Sequence, residues 1–541
     1  MKKFVLPIIF LLLFCNAGLF AQGNEIDAFT LSNTELGGTA RSMSMGGAFG
    51  ALGGDLSVIS NNPAGLGVYR SSEVSGTFDL SGINTSTNWS GTSTDVNKAR
   101  FSPANFAFSL YFPTSSNGVH NWNFGFSYNR LKNYKRSYTM SGKGQTYSMA
   151  DFAAWRAKGI RLSELTLTNN YDPYDNLDLS SDWLPILGFE AGMYDHFEGG
   201  TTDYQSAFGW GDSNGQWNID SPTSNALRVN ENGYMDEYNF GLGFNISNTV
   251  YLGVSLSVTD IDYKYSSFYE DFFVVGDAFA RAGSSDYLYL ENRLNTKGTA
   301  VSTNVGAILN LGVVRLGVAY NSPRYYEMTD YYSAGAGTEI SGYDNPKMDN
   351  RTPEGTFSEY RFQTPDKWIF SGAIVLGKSA IISVDHELMN YNRMFYSNRN
   401  GDTDDYPSNN YIKDDYTWSH TLKLGAEVKV TPQFALRAGY MMQTSPMREQ
   451  LYKNNVEVLP AGTIPHFTTA SKPTNYVTVG VGYRFTPNFY MDLALVNRYN
   501  NSNAFAFSNA YANNSSVAIF SEPAKLITKT TRLALTLGYK F

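Results

Sequence analysis

The chain has 541 residues, of which 15% are aromatic and 17% charged, with 49 glycines and a net charge of −8. The aromatic content excludes a disordered chain, the mean hydropathy of −0.30 excludes a helical membrane bundle, and the acidity argues against gripping nucleic acid. The length allows several soluble domains or one large closed sheet, and the patterning favours the sheet.

Residues 1–21 read as a secretory signal: Lys2 and Lys3, an apolar run from Phe4 to Cys15, then Leu19-Phe20-Ala21 before Gln22. The run is too short to span a bilayer as a helix. Cys15, the single cysteine, would be an acylation site in a lipoprotein, but bulky Phe14 before it favours ordinary cleavage. The mature chain then lacks thiols, which removes disulfides, thiol catalysis and cysteine-bound metals.

Residues 22–72 lack alternation and are rich in small residues, with Gly46-Gly47-Ala48 and Gly53-Gly54 among them. Met43, Met45, Phe49, Leu52, Leu56 and Ile59 predict short helical turns packed inside something larger, where small residues let backbones approach closely. From residue 73 onward the period becomes two. Leu533, Leu535, Leu537, Tyr539 and Phe541 alternate with Arg532, Ala534, Thr536, Gly538 and Lys540, and Val477, Val479 and Val481 repeat the pattern. About fourteen such segments are predicted, beginning with 73–82, 102–112 and 121–139 and ending with 488–500 and 527–541.

Tight turns are expected at Ser247-Asn248, Leu311-Gly312, Gly377-Lys378, Thr431-Pro432 and Thr486-Pro487. Long polar links at 140–234, 266–294, 327–359, 396–414, 445–473 and 501–526 separate them. Short turns on one rim and long loops on the other predict an all-β fold, a transmembrane antiparallel barrel of about fourteen strands with an N-terminal plug in its lumen. Within 140–234, Met149 to Glu164 reads as a short helix interrupted by Gly159, followed by a stretch carrying Trp183, Trp210 and Trp217. It serves either as a cap over the mouth or as a first landing surface for an apolar ligand.

Gly372 to Ser379 matches the phosphate-binding G-x-x-x-x-G-K-[ST] pattern, but its apolar interior continues a strand, so Gly377-Lys378 is expected to be a hairpin tip. His120, His196, His386, His420 and His466 form no metal-ligand spacing, and neither they nor Asp385-His386-Glu387 supply a nucleophile, so no enzyme is expected. Asp212, Asn214, Gln216, Asn218 and Asp220 alternate through a loop, but Trp217 replaces the glycine that a calcium loop requires; Gly401 to Asp405 likewise reads as a polar loop. No metal and no cofactor is expected. If apolar faces meet lipid, Arg315, Lys423, Arg437, Arg484 and Arg532 face the lumen, where they meet either a ligand's carboxylate or carboxylates such as Glu427 and Asp492.

The run from Gly38 to Tyr69, with Gly46-Gly47-Ala48, Asp55 and above all Asn62-Pro63-Ala64-Gly65, resembles the start of the FadL/TodX family of outer-membrane transporters for hydrophobic compounds. The last strand, ending in Phe541, is similar to the signal read by the barrel-assembly machinery. The Tyr- and Asn-rich composition and the 140–234 insertion look like versions found in Bacteroidetes, some labelled haemin receptors. The resemblance implies a signal peptide at 1–21, a hatch at 22–72 and a barrel at 73–541. It also implies passive uptake of fatty acids or aromatic hydrocarbons, with lateral escape through the wall near a kinked early strand. Gly46, Gly47, Asp55, Asn62, Pro63, Ala64 and Gly65 would form the gate. The expected location is the bacterial outer membrane with both termini toward the periplasm. The expected partners are a hydrophobic small molecule and outer-membrane lipid, with no nucleotide or nucleic acid. The alternative is a type IX secretion or surface-assembly barrel that binds protein cargo.

Overall fold

The computed structural model describes residues 23–541 apart from 116–117, 177–181, 197–199, 212–216, 275–284, 342–346, 378, 405, 453–456, 459–460 and 512–516. The signal segment, Gln22, Asp212, Asn214, Gln216, Lys378 and Asp405 therefore lie outside the described residues. Fourteen antiparallel staves close into one ring. The first seven are β1 Glu73–Trp89, β2 Thr92–Pro113, β3 Val119–Asn133 continued by Arg136–Lys143, β4 Ser224–Ile246, β5 Val250–Val274, β6 Ser285–Leu311 and β7 Val314–Asn321 continued by Tyr325–Glu339. The others are β8 Phe357–Gln363 continued by Lys367–Leu376, β9 Ala380–Asn390, β10 Trp418–Lys429, β11 Phe434–Gln443, β12 Thr474–Arg484, β13 Phe489–Phe505 and β14 Ala524–Lys540. Each pairs with its neighbours in sequence, and β14 closes on β1 from Glu73 opposite Lys540 to Asn88 opposite Lys525.

The alternation puts Phe78, Leu80, Val477, Val479, Leu533 and Leu537 on an exposed outer belt, while Asp79, Ser81, Thr478, Arg532 and Thr536 are buried inside. Such an inversion of soluble-protein patterning suits a wall with lipid outside and polar groups within. Inside, cross-stave hydrogen bonds satisfy much of the polar face: Asn239 donates to Ser127, and Asn304 donates to Ser255 and Ser257.

The short connections gather at one rim. Ser247 and Asn248 join β4 to β5 with φ of 54° and 56°, and Gly312 turns β6 into β7. Strand ends were legible only where the outer face is apolar. β1 runs to Trp89 rather than residue 82, and β2 starts at Thr92 rather than 102, joined by a tight turn at Ser90-Gly91 on the opposite rim. Outward Asn84, Ser86 and Asn88 replace the apolar residues there, so the hydropathy signal fades while the ladder continues.

β8 ends at Leu376 and β9 begins at Ala380, with Gly377 between them at a φ of 59°. That is strand–turn–strand, without the helix a phosphate loop needs. In the 140–234 link, β3 reaches Lys143 and β4 starts at Ser224. Between them the helix Met149–Ala157 and the short turn Leu162–Leu165 flank Gly159, and Leu184–Glu190 forms a further helix. They share a buried core with the upper staves and loops, in which Phe152 stacks on Phe507 at 5.2 Å and Trp183 leans on Tyr332 at 6.1 Å.

Candidate functional site

Residues 23–72 lie inside the ring. Three side-chain caps define the local structure of this segment. Asn24 accepts from the amides of Ile26 and Asp27 and starts the helix Glu25–Ser32; Thr39 starts Ala40–Ser44; Asn62 accepts from Ala64 and starts the 3-10 turn Pro63–Val68. Pro63 sits at the first position of that turn, where its missing amide hydrogen costs nothing. Asp55 is the staple between them, accepting from both the hydroxyl of Thr39 and the hydroxyl and amide of Ser57.

The segment meets the wall backbone to backbone. Gly46 has a φ of 63°, and a Cβ there would stand 2.9 Å from the carbonyl oxygens of Leu424 and Tyr440. On the wall side, a Cβ on Gly439 would come within 2.2 Å of the Gly46 nitrogen, on Gly253 within 2.2 Å of Ala64, and on Gly306 within 2.0 Å of the Asn62 Oδ1. Gly47 and Gly65 are equally enclosed, by Leu36 and by Val58. The seven residues singled out in the sequence are all buried, Gly46, Asn62, Pro63 and Ala64 against the wall and Asp55 and Gly65 within the segment, with Gly47 between Leu36 and Lys423. The wall glycines were missed, although their recurrence at inward positions of β4, β5, β6, β10 and β11 was a readable signal.

Polar links tie the segment to the wall at several heights. The Arg41 guanidinium donates to both carboxylate oxygens of Glu427 (3.0 and 3.2 Å) and to the Gly54 carbonyl (3.0 Å). Glu427 also accepts from Arg437, which continues to Asp492 at 2.6 Å. Burial works against the Arg41 charge, but Glu427 more than offsets it and holds the guanidinium above its ordinary value. Arg532 donates to the Leu36 carbonyl and to Asp79 (both 2.6 Å), Arg315 to the Leu52 carbonyl (2.6 Å), and Lys423 to Glu387 (2.6 Å). Four of the five inward cations named from the sequence thus hold protein groups. Arg484 is exposed and lines a cavity of about 230 Å³ at the short-turn rim, together with Arg41, Glu427 and Asp492. Among the described residues no group of three or more His, Cys, Asp or Glu is placed to hold a metal.

The chain start departs from expectation. Gly23 accepts from Ser408, the Asn24 carbonyl from Tyr396 (3.0 Å) and the Glu25 carbonyl from Tyr416 (3.0 Å), all within the β9–β10 link at the long-loop rim. Phe541 instead exchanges backbone bonds with Ser72 at the short-turn rim. The two ends of the described chain therefore lie at opposite rims, not together. The reason is apolar: Ile26, Ala28 and Leu31 are buried in a chamber built from Tyr360, Phe362, Tyr391, Tyr396 and Tyr416.

One seam in the wall is incomplete. β2 and β3 pair only from Asn105 opposite Asn129 to Pro113 opposite Asn121. Beyond that point the backbone of Thr92–Ala104 pairs only with β1, while β3 shifts register against β4 at Arg130/Lys132 and its continuation passes behind β1, where Thr85 and Thr87 donate to the Ser137 and Thr139 carbonyls. Phe101, 69% exposed, stands on the free lip.

No protein-family model and no curated protein matches the sequence. Among solved structures, a Pseudomonas aeruginosa FadL homologue aligns over 94% of this chain and 99% of its own at 11% identity, with a TM-score of 0.50. The fold is that of the FadL homologues. The toluene transporters TodX of P. putida (12% identity, 93% of this chain and 99% of that chain, TM-score 0.48) and TbuX of Ralstonia pickettii (12%, 93% and 98%, 0.45) are also structural neighbours. At these identities the likeness concerns the path of the backbone. The FadL-like fold accounts for the closed ring, while the contacts of Arg41, Asp55 and the wall glycines are read from this chain's own residues.

Proposed function

We propose that the chain forms an outer-membrane channel for passive uptake of hydrophobic molecules, long-chain fatty acids first among them, with residues 22–72 as the hatch. The observation that carries this reading is the combination of an apolar outer belt with a lumen filled by a segment held through separable polar links such as Arg41–Glu427. A solid hydrophobic plug would not move, whereas hydrogen bonds and ion pairs can be exchanged for water as the segment shifts. In this reading the short-turn rim faces the periplasm, and the helices of residues 144–223 cap the outer mouth. The unpaired edge of β2 gives a ligand a sideways exit into lipid. Desolvating an alkyl chain on the way contributes about 0.8 kcal/mol per CH₂, which favours long chains over short ones.

Uptake of labelled oleate by cells with and without the gene, with a small labelled sugar as control, tests the reading. Loss of oleate entry alone, restored by complementation, is the expected result. Equal entry of oleate in both strains would overturn it.

A further inference from the structure

Behind the incomplete seam lies a cavity of about 120 Å³ whose charge does not suit an apolar solute. Six cations line it: Arg100, Lys132, Lys135, Arg136, Lys472 and Arg498. Among the described residues only two carboxylates, Glu35 and Glu231, face them. Glu35 is shared between Arg498 at 2.7 Å and Arg100 at 3.9 Å, and Glu231 is taken by Arg136. Lys132 donates to the Thr30 carbonyl at 2.7 Å, and Lys135 and Lys472 form no ion pair among the described residues. Arg100 is 7% exposed; it donates to the Asn133 carbonyl at 3.1 Å and leaves its Nε buried without an acceptor. Two further lining donors, the hydroxyls of Thr469 and Thr528, are also buried and unpartnered. Such groups cost free energy unless an acceptor arrives.

We infer that this cavity binds the phosphate group of a single-chain amphiphile. A carboxylate would bring one negative charge against a surplus of four cations. A phosphate monoester brings about −1.5 to −2 and three acceptor oxygens, which the guanidinium of Arg100 and the free hydroxyls can share. The cavity has room for a hydrated head group. Arg100 lies on one lip of the seam and Lys132 and Asn133 on the other, bridged by the Arg100–Asn133 bond; a phosphate that draws Arg100 away from Asn133 frees the gap between β2 and β3 for an alkyl tail on the lipid side. The site requires the barrel to sit in a membrane but does not require fatty-acid transport.

The test is calorimetric titration of the purified full-length protein in a neutral detergent with dodecyl phosphate, dodecanoate and inorganic phosphate. Dodecyl phosphate should bind at least tenfold more tightly than dodecanoate, and Arg100→Gln/Lys132→Gln should remove that preference. Should the double variant fail to fold, Lys472→Gln on the exposed side should weaken dodecyl phosphate severalfold and reduce its salt dependence. Inorganic phosphate binding as tightly as dodecyl phosphate would assign the site to a solution anion rather than a membrane lipid and overturn the amphiphile. Equal binding of dodecyl phosphate and dodecanoate, or binding unchanged in the variants, would overturn the phosphate site. Normal oleate uptake alongside such a failure would spare the channel.

Discussion

Arg41 and Glu427 stand 386 positions apart in the chain and 3.0 Å apart in space, with Arg437 on the far side of the same carboxylate. Two cations on one acid make the acid the common dependency. Arg41→Gln removes one charge-assisted partner and leaves Glu427 satisfied by Arg437, a loss of about 1.5–3 kcal/mol. Glu427→Gln leaves Arg41 without its counter-charge and Arg437 with Asp492 alone, and is the larger perturbation, about 3–5 kcal/mol. In planar bilayers both variants should open more often than the parent, Glu427→Gln the more. Equal and parent-like conductance would show that this link does not hold the lumen shut.

Replacing Gly253 by Val places a Cβ within 2.2 Å of Pro63 and Ala64, where neither backbone can yield. The expected outcome is an intact barrel, seen as retained heat-modifiable migration, with the turn Pro63–Val68 dislodged and faster trypsin cleavage at Arg70. Gly82→Val, whose added Cβ meets nothing within 4 Å, serves as the matched control and should cleave at the parent rate.

Asn62 makes two kinds of bond at once, accepting from the Ala64 amide and donating to the Gly50 carbonyl at 2.6 Å. Asn62→Ala removes the cap, about 1 kcal/mol, and cuts the tie between the two glycine-rich halves of the segment. Trypsin cleavage at Arg41 should rise severalfold, while Asn62→Asp, which keeps the cap and loses the Gly50 bond, should fall between.

Burial pushes the Asp27 carboxyl up to about 6 from an ordinary 3.8, against its bond from the Asn24 amide, which favours the anion. A raised carboxylate stabilises the folded seat fully below about pH 4 and loses that contribution as pH climbs through 6. Glu25, wholly enclosed, is displaced in the same direction by burial. A nitroxide on Thr30→Cys should therefore gain mobility between pH 5 and pH 8. Asp27→Asn should flatten much of that change; an identical pH response in the variant would assign it elsewhere.

The ring was readable because one face of each stave meets lipid, and that chemistry prints a period of two. It faded at Asn84, Ser86 and Asn88, where outer residues are polar although the ladder runs on. Asn62-Pro63-Ala64-Gly65 stood out because a cap and a fixed φ need those residue types locally. Glu35 and Arg498 did not, since their meeting depends on the closing of the ring and leaves no local trace. The position of Gly23 was missed for a different reason. Ile26, Ala28 and Leu31 announce a buried face, but nothing in eight residues says which chamber will receive it.

The seam between β1 and β14 lies next in the chain to the segment the ring encloses. The segment before Glu73 runs from the Tyr396 chamber down to Ser72, and the ring around it is closed by the pairing of Ala524–Lys540 with Glu73–Trp89. Because Glu73–Trp89 directly follows the enclosed segment and also receives Ala524–Lys540, the two ends of the sheet meet beside the contents they surround.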